Sequence, residues 1–338
     1  MNKSNEEHKF TSTGIKFWQH ERQMMNYRAG DPNTVISTHI APEGRCNLKC
    51  EYCSVTYRKT HNRIDFDKIK DYVVTLKKYG LKAAIITGGG EPTLYPQINE
   101  LLHFLKHEQG LDIGMITNGT QSHRIEDWSV FSWVRVSLNL FREWEDKIWI
   151  PKDKCSDDCV VGGSFVYYDP AVHTPELFGR LSTLANKIGL NYMRVLPNCL
   201  LPQEDLIKQH GGLTEILEGL DNPIFFQQHK LHGTPQTEVC HQSFFRPYLS
   251  EANGGTVYPC DSVVLNDAVA EFSDRYAICP VEDVEKFITG EIKAKFKPCE
   301  DCKGCVFTDN VMMLDEWNRT GVKPDDIPDI DIFHKNFV

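Results

Sequence analysis

From residue 34 onward, short β-branched runs alternate with segments of helical period, and this alternation restricts the chain to repeated βα units around a parallel sheet. Strands are expected at Val35 to Ile40, Ala83 to Thr87, Ile113 to Thr117, Val134 to Leu138, Val160 to Tyr167 and Tyr192 to Leu196. Between them, Phe66, Ile69, Val73 and Leu76 share one helical face behind a capping Asp65. Ile98, Leu101, Leu102 and Leu105 repeat ahead of Gly110, and Leu177, Leu181, Leu184 and Ile188 stop at Gly189. These stripes read as core packing, and their ends mark the loops that can carry chemistry. Six such units are too few for a closed eight-stranded barrel.

Past residue 225 the texture changes to short strands, turns and cysteines. Asn253-Gly254-Gly255 sits between two strand-like runs and predicts a hairpin in a second, smaller module. The Pro- and Asp-rich end of the chain reads as a surface tail of low order. The expected organisation is an N-terminal extension over 1–33 with no assigned role, a core over 34–225, a cysteine-rich module over 226–320 and a tail over 321–338. A length of 338 residues suits about two domains and can bury roughly 75% of the unfolded surface, so disulfide staples are not needed.

Thirty-seven Lys and Arg against 47 Asp and Glu give a formal charge of −10, which disfavours bulk nucleic-acid binding. No run of 18 apolar residues occurs, and the first residues lack the apolar stretch of a signal peptide, so the protein reads as cytoplasmic with no membrane partner. In a reducing compartment the 12 cysteines are expected as metal ligands or reactive thiols rather than as disulfides.

Directly after the first expected strand comes Cys46-Asn-Leu-Lys-Cys50-Glu-Tyr-Cys53. Three thiolates at this spacing can hold three corners of a cubane iron-sulfur cluster and leave the fourth iron open; a zinc site is the alternative reading. Gly88-Gly89-Gly90-Glu91-Pro92 follows the second strand. Glycines let the backbone approach a ligand closely, and a carboxylate can accept hydrogen bonds from an ammonium group.

With these two motifs the chain resembles the radical S-adenosylmethionine (SAM) superfamily, whose signature is C-x3-C-x2-C after the first strand and GGEP after the second. The resemblance covers roughly residues 34 to 225. It implies a partial (β/α)6 TIM-like barrel of α/β class, followed here by a small C-terminal cysteine-rich β-hairpin/α module. It also implies that Cys46, Cys50 and Cys53 hold a [4Fe-4S] cluster whose free iron is chelated by SAM. Tyr52 falls where family members place a side chain near the adenine, and Gly88, Gly89, Gly90 and Glu91 where they receive the methionine amino group. Asn118, Ser137 and Arg194, at later strand ends, match positions that related enzymes use for the rest of SAM.

Behind this core, Cys240 and Gly255-Thr-Val-Tyr-Pro-Cys260 resemble the opening of SPASM/twitch extensions. The candidate auxiliary ligands are Cys240, Cys260, Cys279, Cys299, Cys302 and Cys305. The pattern departs from SPASM after Cys302: the next spacing is short, and Asp309 stands where a further cysteine would fall. The resemblance implies at least one auxiliary [4Fe-4S] cluster and leaves a second open. A structural zinc site is the alternative, with His229, His232 and His241 as possible nitrogen ligands. Cys155 and Cys159 read as surface thiols or an opportunistic metal site. Cys199, after the sixth strand, is either a hydrogen-atom donor to a substrate radical or an inert buried thiol.

The chemistry implied is one-electron reduction of the cluster, by a donor such as flavodoxin or ferredoxin. Cleavage of SAM to a 5'-deoxyadenosyl radical and hydrogen abstraction from substrate come next. A peptide or protein side chain is the expected substrate, giving an oxidation, crosslink or epimerisation. A small molecule such as a nucleotide or sugar derivative is the alternative, and a non-catalytic zinc or iron-sulfur binding protein is the alternative outside enzymes.

Overall fold

The computed structural model describes residues 4–56, 58–141, 152–266, 275–325, 327 and 331–338. Seven strands run parallel and pair in chain order: β1 (Ser37–Ile40), β2 (Ala83–Ile86), β3 (Asp112–Thr117), β4 (Trp133–Ser137), β5 (Val160–Tyr167), β6 (Tyr192–Pro197) and β7 (Phe225–Gln227). The first six lie where the alternation places them. Val35 and Ile36 fall outside β1 because their amides bond the Tyr79 and Phe245 carbonyls instead of a strand neighbour. The three-residue β7 was too short to stand out at the expected boundary.

Helices return the chain between strands. Phe66–Lys78 starts at Asp65, whose carboxylate accepts from the Asp67 amide, and buries Ile69, Tyr72, Val73 and Leu76 against the sheet. Pro175–Ile188 starts at Thr174 and ends at Gly189, whose φ of 72° is the left-handed cap that glycine adopts without strain.

The cysteine-rich region continues the same sheet. β8 (Tyr248–Ser250) and β9 (Thr256–Tyr258) form the expected antiparallel hairpin across a left-handed turn, and β10 (Cys279–Pro280) pairs with β9. β8 pairs in parallel with β1, His39 opposite Tyr248 and Ile40 opposite Leu249. The sheet therefore reads β10-β9-β8-β1-β2-β3-β4-β5-β6-β7, and β7 and β10 remain separate ends, so the barrel is unclosed. A composition change at residue 225 suggested a separate module; hydrogen bonding makes it the far edge of the barrel sheet.

Aromatic rings fill the barrel below its mouth. A Cβ on Gly114 would lie 2.2 Å from the Trp133 ring, and one on Gly162 would lie 2.1 Å from Tyr192, so these glycines make room for the rings. Both terminal segments close the floor. Phe10 stacks on Tyr192 at 4.5 Å, and Phe337 meets Trp133 edge-on at 5.5 Å. The expectation of a surface tail is corrected at its last two residues: Phe337 and Val338 are 2% and 1% exposed, Phe337 packing with Trp133 and Tyr192 at the barrel base and Val338 with Phe17, Met24 and Phe245. Residues of the N-terminal extension also bridge to the cysteine-rich region, with Trp18 edge-on to Trp317 and the Trp317 indole N–H donating to the Met24 carbonyl. Among the described residues, no helix is long and apolar enough to cross a membrane.

Candidate active site

At the carboxyl ends of the strands a cleft of about 310 Å³ is lined by Cys46, Cys50, Cys53, Tyr52, Gly88, Gly90, Glu91, Asn118, Ser137 and Arg194. Ten of the positions singled out in the sequence thus meet in one space. Gly89 lies between two lining glycines, and Cys199 is not among the lining residues.

The glycine run is held against the cysteine loop by backbone. The Gly90 amide donates to the Glu43 carbonyl at 2.9 Å and the Glu91 amide to the Arg45 carbonyl at 2.8 Å. Packing is too close for any side chain: a Cβ on Gly88 would lie 1.6 Å from the Gly90 carbonyl oxygen, and one on Gly90 would lie 1.9 Å from that of Arg45. This bare backbone is the cradle that the motif predicts.

Glu91 also anchors the end of β3. One of its oxygens accepts from Thr117 Oγ1 at 2.6 Å, Thr93 Oγ1 at 2.7 Å and the Thr93 amide at 3.2 Å, and the other accepts from the Asn118 amide at 2.8 Å. Three donors crowd one oxygen and one reaches the other, so the side chain fixes the end of β3 and keeps an acceptor position on its second oxygen. Burial pushes this carboxyl up and the four hydrogen bonds pull it down, with burial the larger effect.

Asn118 in turn donates to Asn47 Oδ1 at 3.0 Å, and Asn47 donates to Thr120 Oγ1 at 2.7 Å, which ties the cysteine loop to β3. Tyr52 stacks on Tyr168 at 4.8 Å, an aromatic pair at the cleft edge. Arg58 Nη1 lies 3.5 Å from Cys53 Sγ and also donates to the Val55 carbonyl. Arg194 Nη2 donates to Ser164 Oγ at 2.8 Å. Cys199, just past β6, has its thiol 3.7 Å from the Pro197 carbonyl, and burial pushes its pKa up, which keeps the thiol protonated.

Glu251 was not legible as a site residue. Carried just past β8, it is 4% exposed, and a Cβ on Gly89 would fall 1.9 Å from its carboxylate. Burial raises its pKa to about 7. No local motif announces it, because it arrives through the pairing of β8 with β1.

Of the six auxiliary candidates, four converge: Cys240, Cys260, Cys302 and Cys305 line one apolar cavity with Tyr276 and Phe296. Burial raises the pKa of each, and neighbouring thiols add to the rise for Cys240, Cys260 and Cys302. Cys279 and Cys299 do not line it. Cys279 is buried opposite Val257 in the β9–β10 pair, and burial with Asp283 and Glu282 pushes it up to about 12. The histidines face elsewhere: His229 pairs with Glu7, His232 with the Cys199 carbonyl, and His241 with Tyr27 and Asp315.

Residues 41–141 match the family model described as "Radical SAM superfamily". It carries a radical SAM domain. The chain is 31% identical over 127 residues to an S-adenosylmethionine-dependent nucleotide dehydratase of a Thermoplasmatales archaeon (strain ISO4-H5), covering 36% of this chain and 44% of that protein. It is 26% identical over 208 residues to a probable GTP 3',8-cyclase of Methanococcus vannielii, covering 60% and 65%. The radical SAM domain, together with the cysteine-rich region behind it, shares its fold with the crystal structure of Streptococcus suis SuiB bound to precursor peptide SuiA: TM-score 0.51, 15% identity, 85% of this chain and 76% of that one.

The donor sets suit iron-sulfur clusters. All 12 cysteines are free thiols. In the radical SAM domain three of them stand beside a backbone cradle, and the four auxiliary thiols line one cavity, a soft donor set that suits iron. Among the described residues no three His, Cys, Asp or Glu side chains converge closely enough to grip a single ion. Four thiols around a cavity, rather than around a point, are what a cubane asks for.

Proposed function

We propose that the chain is an enzyme that cleaves SAM reductively and uses the resulting radical to take a hydrogen atom from a substrate. The single observation that carries this reading is the meeting of Cys46, Cys50, Cys53, Gly88, Gly90 and Tyr52 in one cleft at the strand carboxyl ends. When bound, a cluster on the three cysteines supplies the electron for SAM cleavage. The protein's part is positional. The glycine run admits the methionine end of SAM, Glu91 and Asn118 hold the loops around it, Tyr52 and Tyr168 offer stacking surface, and Ser137 and Arg194 form the opposite wall.

Cys240, Cys260, Cys302 and Cys305 would hold one auxiliary [4Fe-4S] cluster, and a one-electron donor such as flavodoxin or ferredoxin would supply the reductant. The substrate is either a peptide side chain or a small molecule; a sequence relative is named for nucleotides, and one structural relative was solved with a peptide.

Anaerobically reconstituted protein should carry about eight irons and release 5'-deoxyadenosine with strong reductant. Cys46→Ala/Cys50→Ala/Cys53→Ala should stop that release and keep about four irons. Reconstituted protein that never releases 5'-deoxyadenosine would instead indicate a non-catalytic metal-binding scaffold.

A further inference from the structure

A second cavity, of about 80 Å³, lies deeper in the barrel. β2 contributes Ile85 to this lower chamber, while Thr87, just past its end, lines the upper cleft; β4 contributes Ser137 above and Arg135 below; Arg194 of β6 reaches both. Two residues along a strand span about 6–7 Å, so the chamber sits one side-chain layer beneath the cleft. One water needs about 10–15 Å³ on the same measure, so there is room for a phosphate-sized group and none for a polypeptide segment.

The chamber wall is cationic. Lys9, Lys16, Arg135, Arg194, Lys230 and Arg246 line it against the single carboxylate of Asp261. Asp261 is already engaged, by Arg246 at 3.4 Å and His39 at 3.7 Å. Arg246 also donates to the Val338 oxygen, and Lys230 lies over the Phe307 ring. Lys16, Arg135 and Arg194 have no salt bridge among the described residues.

Buried hydrogen-bonding capacity is left over in the same place. Among the described residues, the Nε atoms of Arg135 and Arg194, Gln228 Oε1 and both ring nitrogens of His39 have no hydrogen-bond partner. His39 and Gln228 are 5% and 6% exposed. Orphaned polar atoms at such depth are rare in native proteins, and each costs about 1–3 kcal/mol unless something completes it. Burial, with Arg135 nearby, holds the Lys16 ammonium down to about 7 and the Arg194 guanidinium down to about 9. An anion would remove both penalties.

We propose that this chamber binds the phosphate of a phosphorylated small-molecule substrate, gripped by Lys16, Arg135 and Arg194, while the carbon that gives up hydrogen lies above in the SAM cleft. The inference rests on the radical SAM reading and deepens it by choosing the substrate class. A monocarboxylate would leave two of the three cations unmatched. A phosphate ester or diphosphate matches them and suits the planar guanidinium fork. Lys16 comes from the 3-10 turn Gly14–Gln19, so the N-terminal extension becomes part of the substrate site.

The test is calorimetric titration of reconstituted, SAM-loaded protein with inorganic tripolyphosphate, with ATP and GTP, and with an oligoglutamate peptide. Tripolyphosphate should bind one saturable, salt-sensitive site and compete with a nucleoside triphosphate. Lys16→Gln and Arg135→Gln should each weaken it about 10- to 100-fold, the worth of a hydrogen bond to a charged group. Arg135→Lys should recover part of the loss, which separates lost charge from lost folding. Lys68→Gln, an exposed lysine paired with Glu282, should bind as the unmodified protein does.

The proposal is overturned if tripolyphosphate shows no saturable binding, if the Lys16 and Arg135 variants bind it unchanged, or if oligoglutamate displaces it and binds more tightly. The 5'-deoxyadenosine assay on the same preparations separates the two levels. Cleavage of SAM without tripolyphosphate binding sinks the chamber alone, whereas absence of cleavage sinks the radical SAM reading.

Discussion

Replacing Gly89 by alanine tests how the cysteine-rich region supports the SAM cleft. The new methyl would lie 1.9, 2.3 and 2.4 Å from Oε1, Cδ and Oε2 of Glu251, so one side must move by more than about 1 Å to reach ordinary contact. Glu251 has little freedom to do so: it is 4% exposed, bonded to Ser250 Oγ at 3.1 Å, and packed near Gly44. Overpacking of this kind costs about 1–3 kcal/mol. Because Gly88 and Gly90 line the cleft on either side, the displacement should appear as SAM affinity about 5- to 150-fold lower. Removing the obstructing carboxylate should restore room, so Gly89→Ala/Glu251→Ala should bind SAM more tightly than Gly89→Ala alone, a coupling of about 1–3 kcal/mol. Equilibrium dialysis of SAM against the four reconstituted proteins measures the cycle. Wild-type affinity in Gly89→Ala, or no recovery in the double variant, would refute the reasoning.

Three further outcomes are expected from the geometry. Single Ala variants of Cys240, Cys260, Cys302 and Cys305 should lower the iron content from about eight toward about four per chain, while Cys279→Ala and Cys299→Ala keep about eight; the reverse pattern in an iron and sulfide assay would move the auxiliary ligands. Burial raises the Glu251 pKa from 4.5 to about 7, so its contribution to stability is full below pH 4.5 and is lost as pH rises through 7. Glu251→Gln should therefore gain on the unmodified protein by up to about 3 kcal/mol across that window, and parallel pH profiles in denaturant titrations would contradict this. Gly162→Ala would force a methyl to 2.1 Å from the Tyr192 ring and should destabilise by about 1–3 kcal/mol; an unchanged denaturation midpoint would show that the ring has space to move.

The barrel strands and the residues that meet in the upper cleft were legible because their signals are local: β-branched runs bounded by turns, and motifs of fixed spacing at strand ends. What escaped is non-local. Nothing near Tyr248 says that it will lie opposite His39, so the hairpin reads as a separate module and Glu251 belongs to no motif. Phe337 and Val338 sit behind Pro and Asp, and their polar neighbours mask two apolar residues, one packed at the barrel base and one against Phe17 and Phe245. Spacing offers six thiols equally, whereas only packing distinguishes the four in one cavity from Cys279 on its strand and Cys299 beside it. Lys16 belongs to no motif, and its burial depends on strands far along the chain.

The parallel pairing of β1 with β8 also bears on how the chain is made. β1 is complete at Ile40, yet its second neighbour ends at Ser250, so one edge of the nascent sheet waits for about two hundred residues of synthesis. An unpaired strand edge is a template for wrong partners, and contacts of long sequence separation form slowly. The same delay keeps the cysteine loop, which leaves from the end of β1, without its cover by Glu251. Gly44 and Gly89, which pack against Glu251, therefore reach their final surroundings only when the last third of the protein is in place.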